Sequence, residues 1–171
     1  MPNSTTASRL PVAAEVRARD RVMCYRRAGT GHGVLILIAP DEPQSLWPAL
    51  DDALAQRFRV IVPELPADRA GVAAWLGDFL DGLGVAGLAV VATASLRPAV
   101  LELVRRDRDQ VARVAIIGAG GEDADRGTAA RRDGAAEPAT VPQLVVPRAL
   151  PIADALPLLT RFLGASGEFE G

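Results

Sequence analysis

The sequence contains no lysine and has only one histidine and one cysteine in 171 residues. All 19 basic residues are therefore arginine, and with 21 acidic residues the formal net charge is −2. Because Cys24 has no second cysteine to pair with, an intrachain disulfide and a zinc site built from cysteines are excluded. The arginines form no cluster, so there is no electrostatic basis for binding nucleic acid or an anionic membrane. Any mechanism that uses histidine as a general base must use His32.

Long hydrophobic runs are also missing. No apolar run reaches the roughly 20 residues that a membrane helix needs, and the first ten residues lack the apolar stretch of a secretory signal. We therefore expect a cytoplasmic protein with no membrane partner. An apolar fraction of 49% is sufficient for one hydrophobic core. The prediction is a single domain over 12–163, with a flexible N-terminal segment at 1–11 and a flexible tail at 164–171.

Short apolar runs alternate with amphipathic segments along the chain. This order predicts an α/β fold with a mostly parallel, doubly wound sheet that follows an initial hairpin with its turn at 19–20. A polar segment with no periodicity, 119–140, is predicted to be a mobile loop. The predicted strands are 12–18, 22–26, 34–39, 59–62, 88–92, 111–118 and 141–146. The predicted helices are one that Ser45 caps and the segments 71–83, 98–106 and 152–163, with Pro157 either in the first turn of the last helix or breaking it.

The chain is organised around the joint between the strand at 88–92 and the helix that begins at Pro98. Many enzymes with a parallel sheet place a nucleophile in such a tight turn between strand and helix. The turn here reads Ala-Thr-Ala-Ser-Leu-Arg over 92–97. Ser95 is the candidate nucleophile, and the alternative is that its hydroxyl belongs to a helix cap or to the turn itself.

Several phrases occur in an order that resembles the α/β-hydrolase family, over about 16–146. Segments 23–31, 47–50 with 57–61, and 63–66 look like the second strand, the first helix with the fourth strand, and the loop after that strand. Segments 72–83 and 109–114 look like the helix before the nucleophile strand and the entry to the sixth strand. The resemblance implies a shortened α/β-hydrolase-like fold, with the loop at 119–140 in place of a full lid.

The resemblance also implies where catalytic groups would stand. The nucleophile motif of the family is Gly-x-Ser-x-Gly, in which the central residue has a strained backbone and small neighbours let strand and helix approach. One alignment puts Ala94 at the serine, with Ala92 and Leu96 at the glycines. Shifting it by one residue puts Ser95 at the serine, with Thr93 and Arg97 at the glycines. Both alignments break the motif.

The oxyanion hole of the family lies after the third strand, where this chain has residues 39–42. Pro40 has no N–H to donate, and Asp41 with Glu42 places negative charge where an oxyanion would form. The simpler interpretation is a solvated turn.

The remaining triad members of the family follow its seventh and eighth strands. The strand at 144–146 can stand for either, and residues 148–150 after it (Arg, Ala, Leu) include no acid or histidine. Asp154 is the nearby carboxylate, and we expect it to cap the last helix. His32 precedes the strand that starts at Val34, so it should lie at the amino ends of the strands, whereas active sites of open parallel sheets lie beyond the carboxyl ends.

The joint loss of these groups favours a protein without serine hydrolase activity that binds a small apolar ligand or a protein partner. No cofactor or metal is expected, and a homodimer through a sheet edge or the cleft rim is an alternative. Two enzymatic alternatives remain: a residual ester or thioester hydrolase or acyl-transfer enzyme that uses Ser95, and a non-hydrolytic enzyme with Asp41 or Glu64 as acid or base. The predicted cleft is lined by Ala39, Pro40, Asp41, Glu64, Ala94, Ser95 and Gly118.

Overall fold

A computed structural model describes residues 11–39, 47–119, 141–147 and 150–165. Several predicted features lie outside these ranges. They are the N-terminal segment up to residue 10, the cleft residues Pro40 and Asp41, the Ser45 cap, the loop at 120–140, residues 148–149 and the tail from residue 166.

Seven strands form one sheet in the order β1-β2-β4-β3-β5-β6-β7. The neighbours from β4 through β3, β5 and β6 to β7 pair in parallel, whereas β2 is antiparallel to both β1 and β4. The prediction of a mostly parallel α/β sheet after a hairpin is therefore confirmed. The strands are β1 (Val12–Ala18), β2 (Arg21–Ala28), β3 (Gly33–Leu37), β4 (Arg59–Pro63), β5 (Leu88–Thr93), β6 (Val111–Ala119) and β7 (Gln143–Pro147).

Within the described ranges, four helices connect or follow the strands: α1 (Trp47–Ala55), α2 (Val72–Leu83), α3 (Arg97–Arg106) and α4 (Ile152–Gly164). A 3-10 turn over Arg69–Gly71 precedes α2, so this helix begins one residue later than predicted. Pro157 lies in the interior of α4, and neither predicted alternative for it is correct. Since proline lacks an N–H, the carbonyl of the exposed Ala153 one turn earlier loses its helical partner but can bond water. None of the helices in the described ranges is long and apolar enough to cross a membrane.

Alternate residues of the strands face two separate cores. Helices α2 and α3 cover the first face, where Leu76, Phe79 and Leu103 pack on strand residues such as Leu35, Val90 and Ile116. Helices α1 and α4 cover the second face, where Leu50, Leu54 and Leu159 pack on Val34, Ile36 and Val91. The continuous apolar runs of β3 and β5 arise because both of their faces are buried.

Two tight turns set the positions of these layers. A two-residue turn, Arg19 and Asp20, joins β1 to β2, and Arg19 has a φ of 53° as the first turn residue. The Arg19 guanidinium then lies 3.1 Å from the Asp78 carboxylate on α2. Gly29 after β2 has a φ of +74°, and a Cβ there would overlap the carbonyl oxygens of Ala55 and Phe58. Only glycine therefore lets the end of α1 approach the sheet at this point.

Candidate functional site

The carboxyl ends of the parallel strands meet at one edge of the sheet, which is where ligands bind in open α/β folds. Strand β5 ends there at Thr93, a 3-10 turn covers Ala94–Leu96, and α3 begins at Arg97. The structure therefore has the predicted joint of strand, tight turn and helix. Ser95 stands exposed within that turn, while Leu96 is buried in the first core.

The backbone of the turn is unstrained. Thr93 has φ −67° and ψ 152°, and Leu96 has φ −92° and ψ −3°. In the described ranges, Arg19 is the only residue other than glycine with a positive φ, so neither Ala94 nor Ser95 has one. The strained conformation with which a nucleophile elbow presents its central side chain is thus missing at both candidate positions.

The Ser95 hydroxyl contacts another hydroxyl. Its Oγ lies 3.3 Å from Oγ1 of Thr93, and either oxygen can be the donor. The cap positions of the 3-10 turn and of α3 are Thr93 and Leu96, so Ser95 caps neither element. Of the two roles expected for its hydroxyl outside catalysis, helix cap or turn hydroxyl, the second is the one observed.

The buried Thr93 also accepts a hydrogen bond from the backbone. Ala39 N donates to Thr93 Oγ1 at 3.4 Å. The N–H of Ala39 is thus turned toward β5, and the next residue, Pro40, has no N–H. Ala39 itself is 0% exposed and packs in the first core. The expectation that Ala39 lines an open cleft is therefore corrected, because its side chain is part of the first core.

Three other predicted cleft residues do reach the carboxyl edge. The pairing of Thr93 with Ile117 puts Ala94 and Gly118 at neighbouring positions, both half-buried, and Gly118 has a φ of +84°. Glu64 follows β4 and is exposed, and its backbone N donates to Cys24 O at 3.0 Å. Because β3 lies between β4 and β5, Glu64 is two strand spacings, about 10 Å, from the β5 turn.

His32 lies at the opposite edge of the sheet. It directly precedes β3, and its carbonyl accepts a hydrogen bond of 2.9 Å from the N–H of Arg59 at the start of β4. Since Val34 pairs with Ala89, His32 is level with the residues just before β5, and Ser95 lies beyond the far end of that strand. The six residues of β5 between these two positions alone span about 20 Å at 3.3 Å per residue.

Asp154 does not cap α4. Pro151 is the cap residue, and Asp154 lies in the first turn, exposed, where its charge suits the positive end of the helix dipole. Strand β7 lies beside β6 in parallel, a position that fits either a seventh or an eighth strand of the family. In the described ranges, no three side chains of the His, Cys, Asp and Glu types come together as a metal site.

One ionisable group in an unusual setting was missed by the sequence analysis. Asp51 on α1 is part of a cavity of about 110 Å³ together with Arg26, Arg27 and Asp52. Burial raises the pKa of the Asp51 carboxyl to about 6, although the Arg26 charge lowers it and Asp52 raises it further. Asp51 Oδ2 lies 3.9 Å from an Arg26 nitrogen, whereas Oδ1 is buried and has no hydrogen-bond partner among the residues that the structure describes.

A sequence signal for Asp51 did exist. Asp51 lies between Leu50 and Leu54 on the apolar stripe of α1, so it falls at the border of the buried face. What periodicity could not supply is the position of Arg26, which reaches Asp51 from β2 only through the tertiary fold. The arrangement can take up and release a proton near neutral pH, but it lies away from the Ser95 turn.

A wider groove of about 890 Å³ runs between α1 and α4, lined by residues that include Arg57, Leu156 and Arg161. Neither this groove nor the Asp51 cavity borders a predicted cleft residue. The cleft residues that reach the carboxyl edge are therefore separate from both cavities.

Comparison with known proteins places the fold. No protein-family model and no curated protein sequence matches the chain. Solved structures do match it: the epoxide hydrolase CorEH with 21% identity and a TM-score of 0.56, and an epoxide hydrolase from Vigna radiata with 18% identity and a TM-score of 0.55. A loop variant of a haloalkane dehalogenase from Bradyrhizobium elkanii matches with 20% identity and a TM-score of 0.55.

These matches cover 64%, 64% and 71% of this chain, respectively. The chain in turn spans 42%, 39% and 49% of those proteins, so less than half of their length is represented. At such identities the likeness shows the fold alone. The chain has an α/β fold that matches α/β-hydrolase-fold enzymes over about two thirds of its length.

Proposed function

We propose that this chain is a shortened, degenerate α/β-hydrolase-like protein that binds a small apolar ligand at the carboxyl edge of its sheet and does not hydrolyse it. The observation that carries the proposal is that the sole imidazole and Ser95 lie at opposite edges of the sheet, with the length of β5, about 20 Å, between them. A general base must come within hydrogen-bond reach of the nucleophile, and His32 cannot do so without unfolding β3. The proposed setting is the cytoplasm.

The immediate surroundings of Ser95 support the same conclusion. Its hydroxyl contacts Thr93, a neutral group that does not withdraw its proton. The backbone N–H of Ala39 is engaged with Thr93 Oγ1, and Pro40 lacks an N–H, so two of the positions after β3 offer no donor to an oxyanion.

An apolar ligand suits what remains at this edge. Ala94 and Gly118 are small, half-buried neighbours, and the partly buried Leu65 and Val141 pack on the same core. Small side chains beside an apolar core leave room for an uncharged aliphatic or aromatic group. A protein partner that inserts an apolar side chain at the same place would use the same contacts.

A thermal-shift screen with uncharged aliphatic and aromatic compounds tests the binding proposal. We expect at least one compound to raise the melting temperature of the wild type, and Ala94→Phe to abolish that rise by filling the space beside Gly118. Ala86→Phe, at an exposed loop position after α2, should keep it. The proposal is wrong if no compound stabilises the protein, or if Ala94→Phe leaves the rise unchanged.

A second candidate, a residual esterase or acyl-transfer enzyme, is favoured by one observation. Ser95 is exposed in the turn after β5, where the resemblance places a nucleophile. Turnover of p-nitrophenyl acetate by the wild type, lost in Ser95→Ala and kept in Ser4→Ala, would establish this candidate. We expect the wild type and Ser95→Ala to show the same background rate.

A further inference from the structure

Strand β1 ends the sheet with an unpaired edge. Nothing in the described part of the chain pairs with it on the side away from β2, and Val12 at its start is 54% exposed. Ala18 and Arg21 flank a two-residue turn, and residues in these positions exchange hydrogen bonds with each other. Every second residue of β1, counted back from Ala18, therefore directs its N–H and C=O groups toward β2. The N–H and C=O groups of Ala13, Glu15 and Arg17 therefore point outward.

The two edges of the sheet differ in their readiness to accept another strand. Strand β7 has only five residues, follows Pro142 and ends at Pro147, and neither proline has an N–H to donate. Strand β1 has seven residues and no proline. Its outward N–H and C=O groups can therefore hydrogen-bond to a further strand. The charges of Glu15 and Arg17 determine which strand can pair with it.

We propose that β1 pairs antiparallel with β1 of a second copy of this chain, centred on Val16. In this register Glu15 lies opposite Arg17 of the partner, and Arg17 opposite the partner's Glu15. Each outward-pointing residue then meets another outward-pointing residue, as a hydrogen-bonded pair requires. Two opposite-charge pairs form on one side of the joined sheet by symmetry.

Neighbouring registers fail on charge. A pair centred on Glu15 sets the two glutamates against each other, and a pair centred on Arg17 sets the two arginines against each other, which destabilises the ladder. Centring on Ala14 leaves both charges of each copy without a charged partner. Sliding the partner strand by a single residue sets each outward-pointing residue opposite a partner residue whose N–H and C=O groups already point toward its own β2. The register on Val16 alone satisfies both the hydrogen bonds and the charges.

The other side of β1 suits the same register. Val16 is half-buried against the first core. Centring on Val16 brings the valines of the two copies together and sets each Ala14 opposite Ala18 of the partner. The apolar core beneath α2 then continues across the interface between the two copies. The apolar contacts on one side of β1 and the charge pairs on the other side therefore both favour a second copy of this chain as the partner.

Charge exchange tests the proposal by sedimentation velocity over a range of concentrations. We expect the wild type to dimerise with concentration, and Glu15→Arg or Arg17→Glu alone to remain monomeric because each change creates two like-charge pairs. The double variant Glu15→Arg/Arg17→Glu should dimerise again, because both pairs regain opposite charges. Matched changes at exposed positions of α3, Glu102→Arg and Arg105→Glu, should leave the dimer intact.

Cross-linking tests the register directly. In a Cys24→Ser background, Val16→Cys should oxidise to a covalent dimer, because directly opposed residues in a non-hydrogen-bonded pair are about 4.5 Å apart at Cα, within disulfide range. Val22→Cys on β2 should not. Circular dichroism of every variant checks that the fold is kept.

Three outcomes would overturn the proposal. A wild type that is monomeric at every concentration has no such interface. A dimer that persists in both single variants uses another surface. A double variant that stays monomeric excludes this register. None of these outcomes depends on the apolar ligand proposed above, whose test concerns the Ser95 turn.

Discussion

The two faces of the sheet are built from the same strands but differ in what they enclose. On the first face, under α2 and α3, the Phe79 ring stacks on Trp75 and makes an edge-to-face contact with Tyr25. The ring centroids are 5.4 Å and 5.6 Å apart, respectively. On the second face, alternation along the strands and the position of α1 bring two polar groups inside, Thr93 and Asp51. Aromatic and aliphatic packing dominates the first face, and the second face combines apolar packing with the buried side chains of Thr93 and Asp51.

The two polar groups of the second face are satisfied to different degrees. Thr93 Oγ1 has both a donor, Ala39 N, and the Ser95 hydroxyl beside it. Asp51 has one long contact with Arg26 and an oxygen with no partner, and its pKa rises as a result of burial. A buried polar group costs little when it is hydrogen-bonded and several times more when it is not, so Asp51 should be the weaker point of the fold.

The largest expected effect lies on the first face. Phe79→Ala removes a fully buried ring that two other aromatic side chains contact, and we expect a loss of about 3–5 kcal/mol in the free energy of unfolding. Leu158→Ala, on a side chain 50% exposed, serves as the matched truncation and should cost less than about 0.5 kcal/mol. Urea unfolding measures both. Equal losses would mean that the aromatic contacts do not hold this face together.

The second face should respond to pH through Asp51. Its pKa is raised from 3.8 to about 6, so between these values the folded state keeps a proton that the unfolded state releases. The free energy of unfolding therefore falls as the pH rises from about 4 to about 6, and stays lower above that, by an amount on the order of 2 kcal/mol.

Asp51→Asn should remove this slope and raise the stability at pH 7, because the amide carries no charge to desolvate. Unfolding of the wild type and the variant in urea at several pH values gives the difference between their slopes. Asp109→Asn, at an exposed carboxyl, should keep the wild-type slope. A slope unchanged in Asp51→Asn would assign the pH dependence to other carboxyls.

The smallest expected effects lie at the hydroxyl pair. Thr93→Val keeps the shape of the side chain but leaves Ala39 N without its acceptor, and we expect a loss of about 1–2 kcal/mol. Ser95→Ala removes an exposed hydroxyl and should change the stability by less than about 0.5 kcal/mol. Thermal or urea unfolding distinguishes the two. A larger loss for Ser95→Ala than for Thr93→Val would make Ser95, and not Thr93, the group that secures the turn.

Much of the fold was predictable because the signals are local. The apolar runs of β3 and β5 indicated buried strands of a parallel sheet. The predicted end of α2 at residue 83 is also correct, and the N–H of Gly84 donates there to the carbonyls of Leu80 and Asp81. The interior proline of α4 was misjudged because helix packing on the second core outweighs its local preference. Asp51 was missed because its counterion stands on a distant strand.

The sequence alone determined the order of the elements, the alternation that produces two cores, and the presence of a single imidazole, because these depend on residue type and spacing. Tertiary structure alone decided that the turn after β5 is unstrained, that the Ala39 N–H donates to Thr93 Oγ1 and that Asp51 forms an ion pair with Arg26. These features depend on which strands become neighbours and in what register, and that pairing joins residues as far apart in the chain as Val34 and Ala89. Local preferences carry no information about such distances.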